Sequence, residues 1–216
     1  KEIFSNFDLC LSSSLESKNF LKRLGAKNVR FVGNLKFSQP VNEKLEIKEN
    51  KKKFFKSKKV WCASSTHESE ELFCAKVHKE LKKKYKNLLT IIIPRHVERV
   101  ESIKSDLNKL NLKIQTFESK EKISKNTDIY IVDTYGKTKT FYNYCDIVFL
   151  GGSLIDHGGQ NPLEATRYGC KILHGPNISN FSEIYKFLKN INISQKISNQ
   201  SAMVIAINKL FLKINK

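Results

Sequence analysis

From Val60 onward, short apolar runs alternate with segments whose apolar residues recur every three or four positions. Val60 to Ala63, Ile129 to Val132 and Ile147 to Leu150 are apolar at every position, Leu88 to Ile93 at all but Thr90, and all four are too short for helices. That is the pattern of strands buried on both faces. Further strands are expected at 113–117 and 171–173. Helices are expected over about 68–85, 97–110, 138–144 and 162–168, with two closing helices near 180–188 and 201–212. Ser65 and Glu68 have the spacing of a capping box for the first of these helices. Glu68, Glu70 and Glu71 crowd its positive end, and Lys82 to Lys84 its negative end. Strands alternating with helices predict an α/β fold, a Rossmann-like parallel sheet with helices on both faces.

Ahead of this pattern, 7–11 and 29–32 read as strands flanking a helix over 15–24 that Gly25 stops. This βαβ piece is too small to be a domain. Residues 1–38 are therefore expected to end an N-terminal Rossmann-like domain. Residues 39–59 are expected to be an interdomain linker with a short helix near 51–56, and 60–216 to form the main, C-terminal domain. A chain opening on Lys1 is expected to be part of a longer or processed protein.

Composition narrows the classes. A chain of 216 residues with 40% apolar content can bury one good core. No run approaches the ~18 apolar residues of a membrane span, and the start does not read as a signal peptide. The five cysteines (Cys10, Cys62, Cys74, Cys145, Cys170) form no CxxC and read as reduced thiols. The net charge of +18 attracts phosphate. Its lysines are scattered, with no arginine cluster and no aromatic–basic interleaving, so nucleic acid is not the expected partner. A solvated surface, or a basic face toward an anionic membrane surface or anionic glycolipid, fits better.

Parallel sheets bind ligands beyond the carboxyl ends of their strands. Polar segments fall there repeatedly: Ser64-Ser65-Thr66-His67, Pro94-Arg95-His96, Asp133 to Lys137, and Gly175-Pro176-Asn177. The richest is Gly151 to Cys170, with Gly151-Gly152, Gly158-Gly159 and the helix start Asn161-Pro162. Glycines admit close backbone approach and a helix start offers N–H groups to an anion, while Glu164 could accept bonds from sugar hydroxyls. Together they read as a phosphate-plus-ribose site. Arg95 suits a phosphate. His67 and His96 fit structural roles as well as donors to an anion, and they lack a third ligand for zinc. Asp133 fits a turn cap as well as a ligand contact.

The ordered segments GNLKF (33–37), STHESEE (65–71), PRHVER (94–99), DTYG (133–136), FLGGSLIDHGGQNPLEA (149–165) and GPNISNF (175–181) closely resemble the 3-deoxy-D-manno-octulosonic acid (Kdo) transferases of lipopolysaccharide assembly. The resemblance covers nearly the whole chain. It implies a GT-B glycosyltransferase with two Rossmann-like domains, this chain supplying the C-terminal, CMP-Kdo-binding domain. It further implies transfer of Kdo from CMP-Kdo to a lipid A precursor (lipid IVA), inverting, with no metal and no cofactor. The place implied is the cytoplasmic face of the bacterial inner membrane, the anchor being absent from this chain. The family's general base is a glutamate of the N-terminal domain, so the chain alone is expected to be inactive.

Carried over motif by motif, Pro94, Arg95, Tyr135, Gly136, Lys137, Asn161, Pro162, Leu163 and Glu164 would line the CMP site. Ser65, Thr66, His67, His96, Gly152 and Ser153 are possible donor contacts. Lys36 would stabilise the transition state by offsetting charge on the departing phosphate. Two positions depart from the family: Tyr135-Gly136-Lys137 stands where Met-Gly-Glu is usual, and Gln160 where histidine is usual. The alternatives are another GT-B enzyme using a UDP-sugar, or a basic module binding nucleic acid or a membrane surface.

Overall fold

In the computed structural model, which describes residues 2–33, 49–119 and 123–214, the chain divides into two units, Lys1–Glu43 and Lys44–Lys216. Lys36 lies outside the described residues. The first unit carries α1 (Glu2–Ser5), β1 (Cys10–Ser12), α2 (Leu15–Arg23) and β2 (Val29–Phe31), with β1 and β2 paired in parallel. Ser14 caps α2 by accepting the Ser17 N–H at 3.0 Å. A βαβ piece this small leaves Phe7, Leu11, Leu15, Phe20 and Phe31 exposed.

The second unit opens with α3 (Glu49–Lys56), at the helix expected inside the linker segment. It is not free of the domain, because Phe55 is buried among Tyr130 and Phe141. There follow β3 (Lys59–Thr66), α4 (Glu70–Lys84), β4 (Leu88–Pro94), α5 (Val100–Asn108), β5 (Ile114–Thr116) and β6 (Ile129–Ile131). Then come α6 (Thr138–Tyr142), β7 (Ile147–Leu150), α7 (Leu163–Arg167), β8 (Lys171–His174), α8 (Ser182–Asn190), β9 (Ser194–Lys196) and α9 (Gln200–Ile214). The strands form one seven-stranded, all-parallel sheet in the order β5-β6-β4-β3-β7-β8-β9.

Alternate residues of each strand feed two cores. Trp61, Ala63, Ile92, Phe149 and Leu173 pack under α4, α5 and α9 on one face. Cys62, Ile91, Tyr130, Val148 and Ile172 pack with Phe55, Phe141 and Tyr185 on the other. Side chains as large as Phe149, with no exposed surface, contribute up to ~3 kcal/mol each. All five cysteines are free; Cys62, Cys74, Cys145 and Cys170 are buried, and burial pushes the thiols of Cys74, Cys145 and Cys170 up.

Two local expectations need correction. α4 is not opened by a Ser65–Glu68 capping box: its N-cap is Ser69, in the left-handed region at φ 73°, with no side-chain cap. The carboxylate that serves this helix start is Glu70. β9 had no apolar signature, because Ser194-Gln195-Lys196 is an edge strand with one buried residue.

Candidate functional site

The chain leaves β3 toward β4, β6 and β5, then returns to the other side of β3 as β7. The sheet therefore has its switch point between β3 and β7, the place where open parallel sheets hold ligands. Ser64 pairs with Leu150 at the carboxyl ends of these strands. Immediately beyond lie Ser65 to Glu70 on one side and Gly151 to Glu164 on the other. The two loops touch closely: a Cβ on Gly151 would collide with the Ser65 carbonyl and the Thr66 Cα. Gly152 takes φ +64°, with the His67 and His157 rings packed about it.

What joins the loops is a buried carboxylate. Glu70, 1% exposed, accepts N–H bonds from His67 (2.9 Å), Gly152 (2.7 Å), Ser153 (3.2 Å) and Leu154 (3.0 Å). Burial pushes this carboxyl above its ordinary value, while the backbone N–H bonds pull it down. The glycine loop thus presents those three amides to its own protein. This changes the part assigned to Gly152 and Ser153, whose N–H groups are engaged. The Ser153 hydroxyl is engaged as well, donating to the Leu150 carbonyl and accepting the Gly175 N–H. Thr66 is buried, and its hydroxyl has no partner among the described residues. Ser65 and Ser69 adopt left-handed φ of 54° and 73°, backbone strain that clusters at this edge.

Other acids continue the stitching across the sheet. Glu71, 3% exposed, holds Arg99 in a two-pronged pair at 3.0 and 3.3 Å, tying α4 to the turn after β4. Glu98 accepts the Tyr135 hydroxyl at 2.9 Å, tying that turn to the loop after β6, and lies 3.4 Å from His96 Nδ1. Asn177 donates to the Ile155 carbonyl at 2.8 Å and joins the loop after β8.

The remaining groups face this stitched edge. The His67 ring lies 4.3 Å from that of His157 and 5.8 Å from that of His96, with the Gln160 amide 3.3 Å from its Nε2. Burial first, then the charges of His157, His96, Arg95 and Arg99, push the His67 imidazole down to about 4. It is neutral near pH 7, and an anion beside it would raise its proton affinity. Arg95 is exposed and anchored through its N–H to the Thr66 carbonyl at 2.9 Å. Pro94 ends β4 and is buried. Tyr135, Gly136 and Lys137 are exposed beyond β6. Pro162 is the N-cap of α7, and Asn161 Oδ1 accepts the Leu163 N–H at 3.1 Å. Glu164, half-exposed, sits 3.9 Å from Lys139. Asp133 accepts the Glu118 N–H at 3.0 Å, which gives it a structural bond.

Edge cations, imidazoles and one half-exposed carboxylate can together grip an anion and a hydroxylated ring. Among the described residues no group of His, Cys, Asp and Glu is arranged to hold a metal ion. The sequence reading missed Glu70, Glu71, Glu98 and His157 as parts of the site. Glu70 and Glu71 stood in the Glu-rich run 68–71, which read equally well as charge complementing a helix dipole, while Glu98 and His157 stood inside the motif segments 94–99 and 149–165 without a role assigned to them.

No protein-family model matches the chain. It is 32% identical over 167 residues to a 3-deoxy-D-manno-octulosonic acid transferase of Haemophilus influenzae, covering 76% of the chain and 39% of that protein. To the enzyme of that name from Aquifex aeolicus it is 28% identical, covering 97% of the chain and 56% of that protein. The chain thus spans about two fifths to a little over half of these relatives. Its fold matches the crystal structure of the C-terminal CMP-Kdo binding domain of WaaA from Acinetobacter baumannii. The TM-score is 0.71 at 24% identity, over 76% of this chain and 86% of that one. The seven-stranded parallel sheet with its helices is a Rossmann-like fold of the GT-B kind.

Proposed function

The chain belongs to the family of Kdo transferases, and from that premise we propose that it holds the donor CMP-Kdo for transfer of Kdo to a lipid A precursor. One observation carries the reading. Segments at the family's motif positions, far apart in sequence, meet at carboxyl ends of one sheet: Pro94-Arg95 after β4, Tyr135 to Lys137 after β6 (only its Gly136 as the family usually has it), Asn161 to Glu164 after β7. Bonds between the loops hold them together, Arg95 to Thr66, Tyr135 to Glu98 and Gln160 to His67.

In this reading Glu164 accepts the ribose hydroxyls and Arg95 faces the phosphate. His67, with His96 beside it, faces the acidic group of the sugar and donates one ring N–H to it as a neutral imidazole. Gly152 and Ser153 shape the loop from behind, held by Glu70. Lys137 replaces an acid, so the segment 135–137 serves through its backbone, which Gly136 turns at φ +75°. The displacement is inverting and draws on no metal. Lys36 offsets charge on the departing phosphate, and the general base comes from the N-terminal domain.

Calorimetric titration of the chain with CMP, AMP and UDP tests the donor assignment. CMP is expected to bind best, and Glu164→Ala to weaken it roughly tenfold or more through loss of a charged hydrogen bond. CMP binding no tighter than AMP, with Glu164→Ala silent, would refute the donor site. A preference for UDP would place the chain with UDP-sugar enzymes.

A further inference from the structure

The second concentration of positive charge lies on the flank of the sheet made by β8, α8, β9 and α9. Lys171, Lys189, Lys196, Lys209 and Lys213 line one cavity of about 500 Å³, and no aspartate or glutamate lines it. Ile193 and Leu210 are among its apolar lining residues. None of these lysines pairs with an acid among the described residues, and Lys171 donates only to the Asn192 carbonyl at 3.1 Å. Their field reaches inward: after burial, Lys196 and Lys189 are what push the nearby His174 imidazole down. Five cations without counter-charge in one concavity call for an anionic occupant.

Exposed apolar side chains on the same elements say what kind. Of the five large apolar side chains exposed in the described second unit, four (Phe187, Ile191, Ile205, Leu212) belong to α8, its C-terminal turn and α9. On α9, Ile205, Lys209 and Leu212 follow at i, i+4 and i+7, one stripe of the helix. Phe187 of α8 and its C-cap residue Ile191 are likewise four apart, and exposed Lys186 and Lys189 lie on the same helix. Apolar side chains set among unpaired lysines are the mark of a surface lying in a lipid headgroup layer. A groove for single-stranded nucleic acid would add aromatic side chains on which bases stack, and none lines this cavity.

We propose that the α8–β9–α9 flank docks on an anionic phospholipid bilayer, the lysine-lined cavity receiving headgroup phosphates while Phe187, Ile191, Ile205 and Leu212 enter the interface. It rests on the proposed function only for there being a lipid acceptor at a membrane, and its test involves no nucleotide.

The test is co-sedimentation of the 216-residue chain with phosphatidylcholine vesicles, with and without phosphatidylglycerol. Binding is expected only to the anionic vesicles. Lys189→Gln, Lys209→Gln and Lys213→Gln together should weaken it roughly a hundredfold, about fivefold per lysine. Ile205→Ser with Leu212→Ser should weaken it without changing net charge. A control removes the same charge elsewhere, as Lys83→Gln, Lys104→Gln and Lys109→Gln, lysines already paired with acids three residues away. It should have a much smaller effect, and matching melting curves confirm that all variants fold. Equal loss in the control and flank variants would overturn the proposal, as would no vesicle binding at all. So would flank-dependent binding of inorganic phosphate alone, or of duplex DNA more tightly than of vesicles. CMP titration of the flank variant separates the two readings, since intact CMP affinity with lost vesicle binding leaves the donor site standing.

Discussion

The two cationic regions of the second unit are built in opposite ways. At the carboxyl edge of the sheet, Arg99 lies 3.0 Å from Glu71, His96 3.4 Å from Glu98, and Lys139 3.9 Å from Glu164. On the α8–α9 flank, five lysines ring a cavity that no acid lines. Paired charges fix loops in one geometry, which recognition of one ligand's shape requires. Unpaired, exposed charges keep long-range attraction and tolerate a diffuse partner, at the expense of steep sensitivity to salt. Net charge alone, summed over the chain, could not separate these two uses.

The largest expected effect lies at the stitched edge. Glu70→Ala would leave the N–H groups of His67, Gly152, Ser153 and Leu154 without their acceptor. At ~1–3 kcal/mol per buried unsatisfied group, partly relieved by water, the loss should be at least about 3 kcal/mol, read as a lower thermal midpoint. CMP affinity should fall with it, while vesicle binding by the protein still folded should not. An unchanged midpoint would break the contrast, because the edge would then not depend on its acids.

A smaller effect separates the regions by pH. Burial, the first cause in each case, lowers the proton affinity of His67, His78 and His174 below the ordinary imidazole value. The folded chain then holds fewer protons than the unfolded chain below about pH 6.5, so stability should decline as pH falls from there toward 4. His67→Gln should remove the part of this decline that belongs to the edge. Melting points that stay flat from pH 7 to 5 would contradict the neutral state of these rings, of which His78 and His174 are buried and His67 half-buried.

Much of the fold was legible because burial on both faces leaves a plain trace. Ile147 to Leu150 is a strand with the bounds its apolar run suggested, and β4 and β6 differ from expectation by one residue. β9 left no trace, since an edge strand needs few apolar residues. The site was legible as a set of loops and not as a mechanism of assembly. Gly151-Gly152 read as a cradle for phosphate, yet the Gly152, Ser153 and Leu154 amides turn to Glu70, more than eighty residues away in sequence. Periodicity carries no information about such a partner. The lysine cavity was hidden for the same reason: its members are ordinary surface lysines until β8, α8, β9 and α9 bring them together.

In the proposed function the carboxyl edge of the sheet holds the nucleotide and the α8–β9–α9 flank does not. Backbone amide NMR of the chain titrated with CMP tests this most directly. Shifts should concentrate at Arg95, at 135–137 and at Asn161, Leu163 and Glu164, with little change at Lys189, Lys196, Lys209 and Lys213. Shifts centred on those four lysines, with Arg95 and Glu164 unmoved, would contradict it.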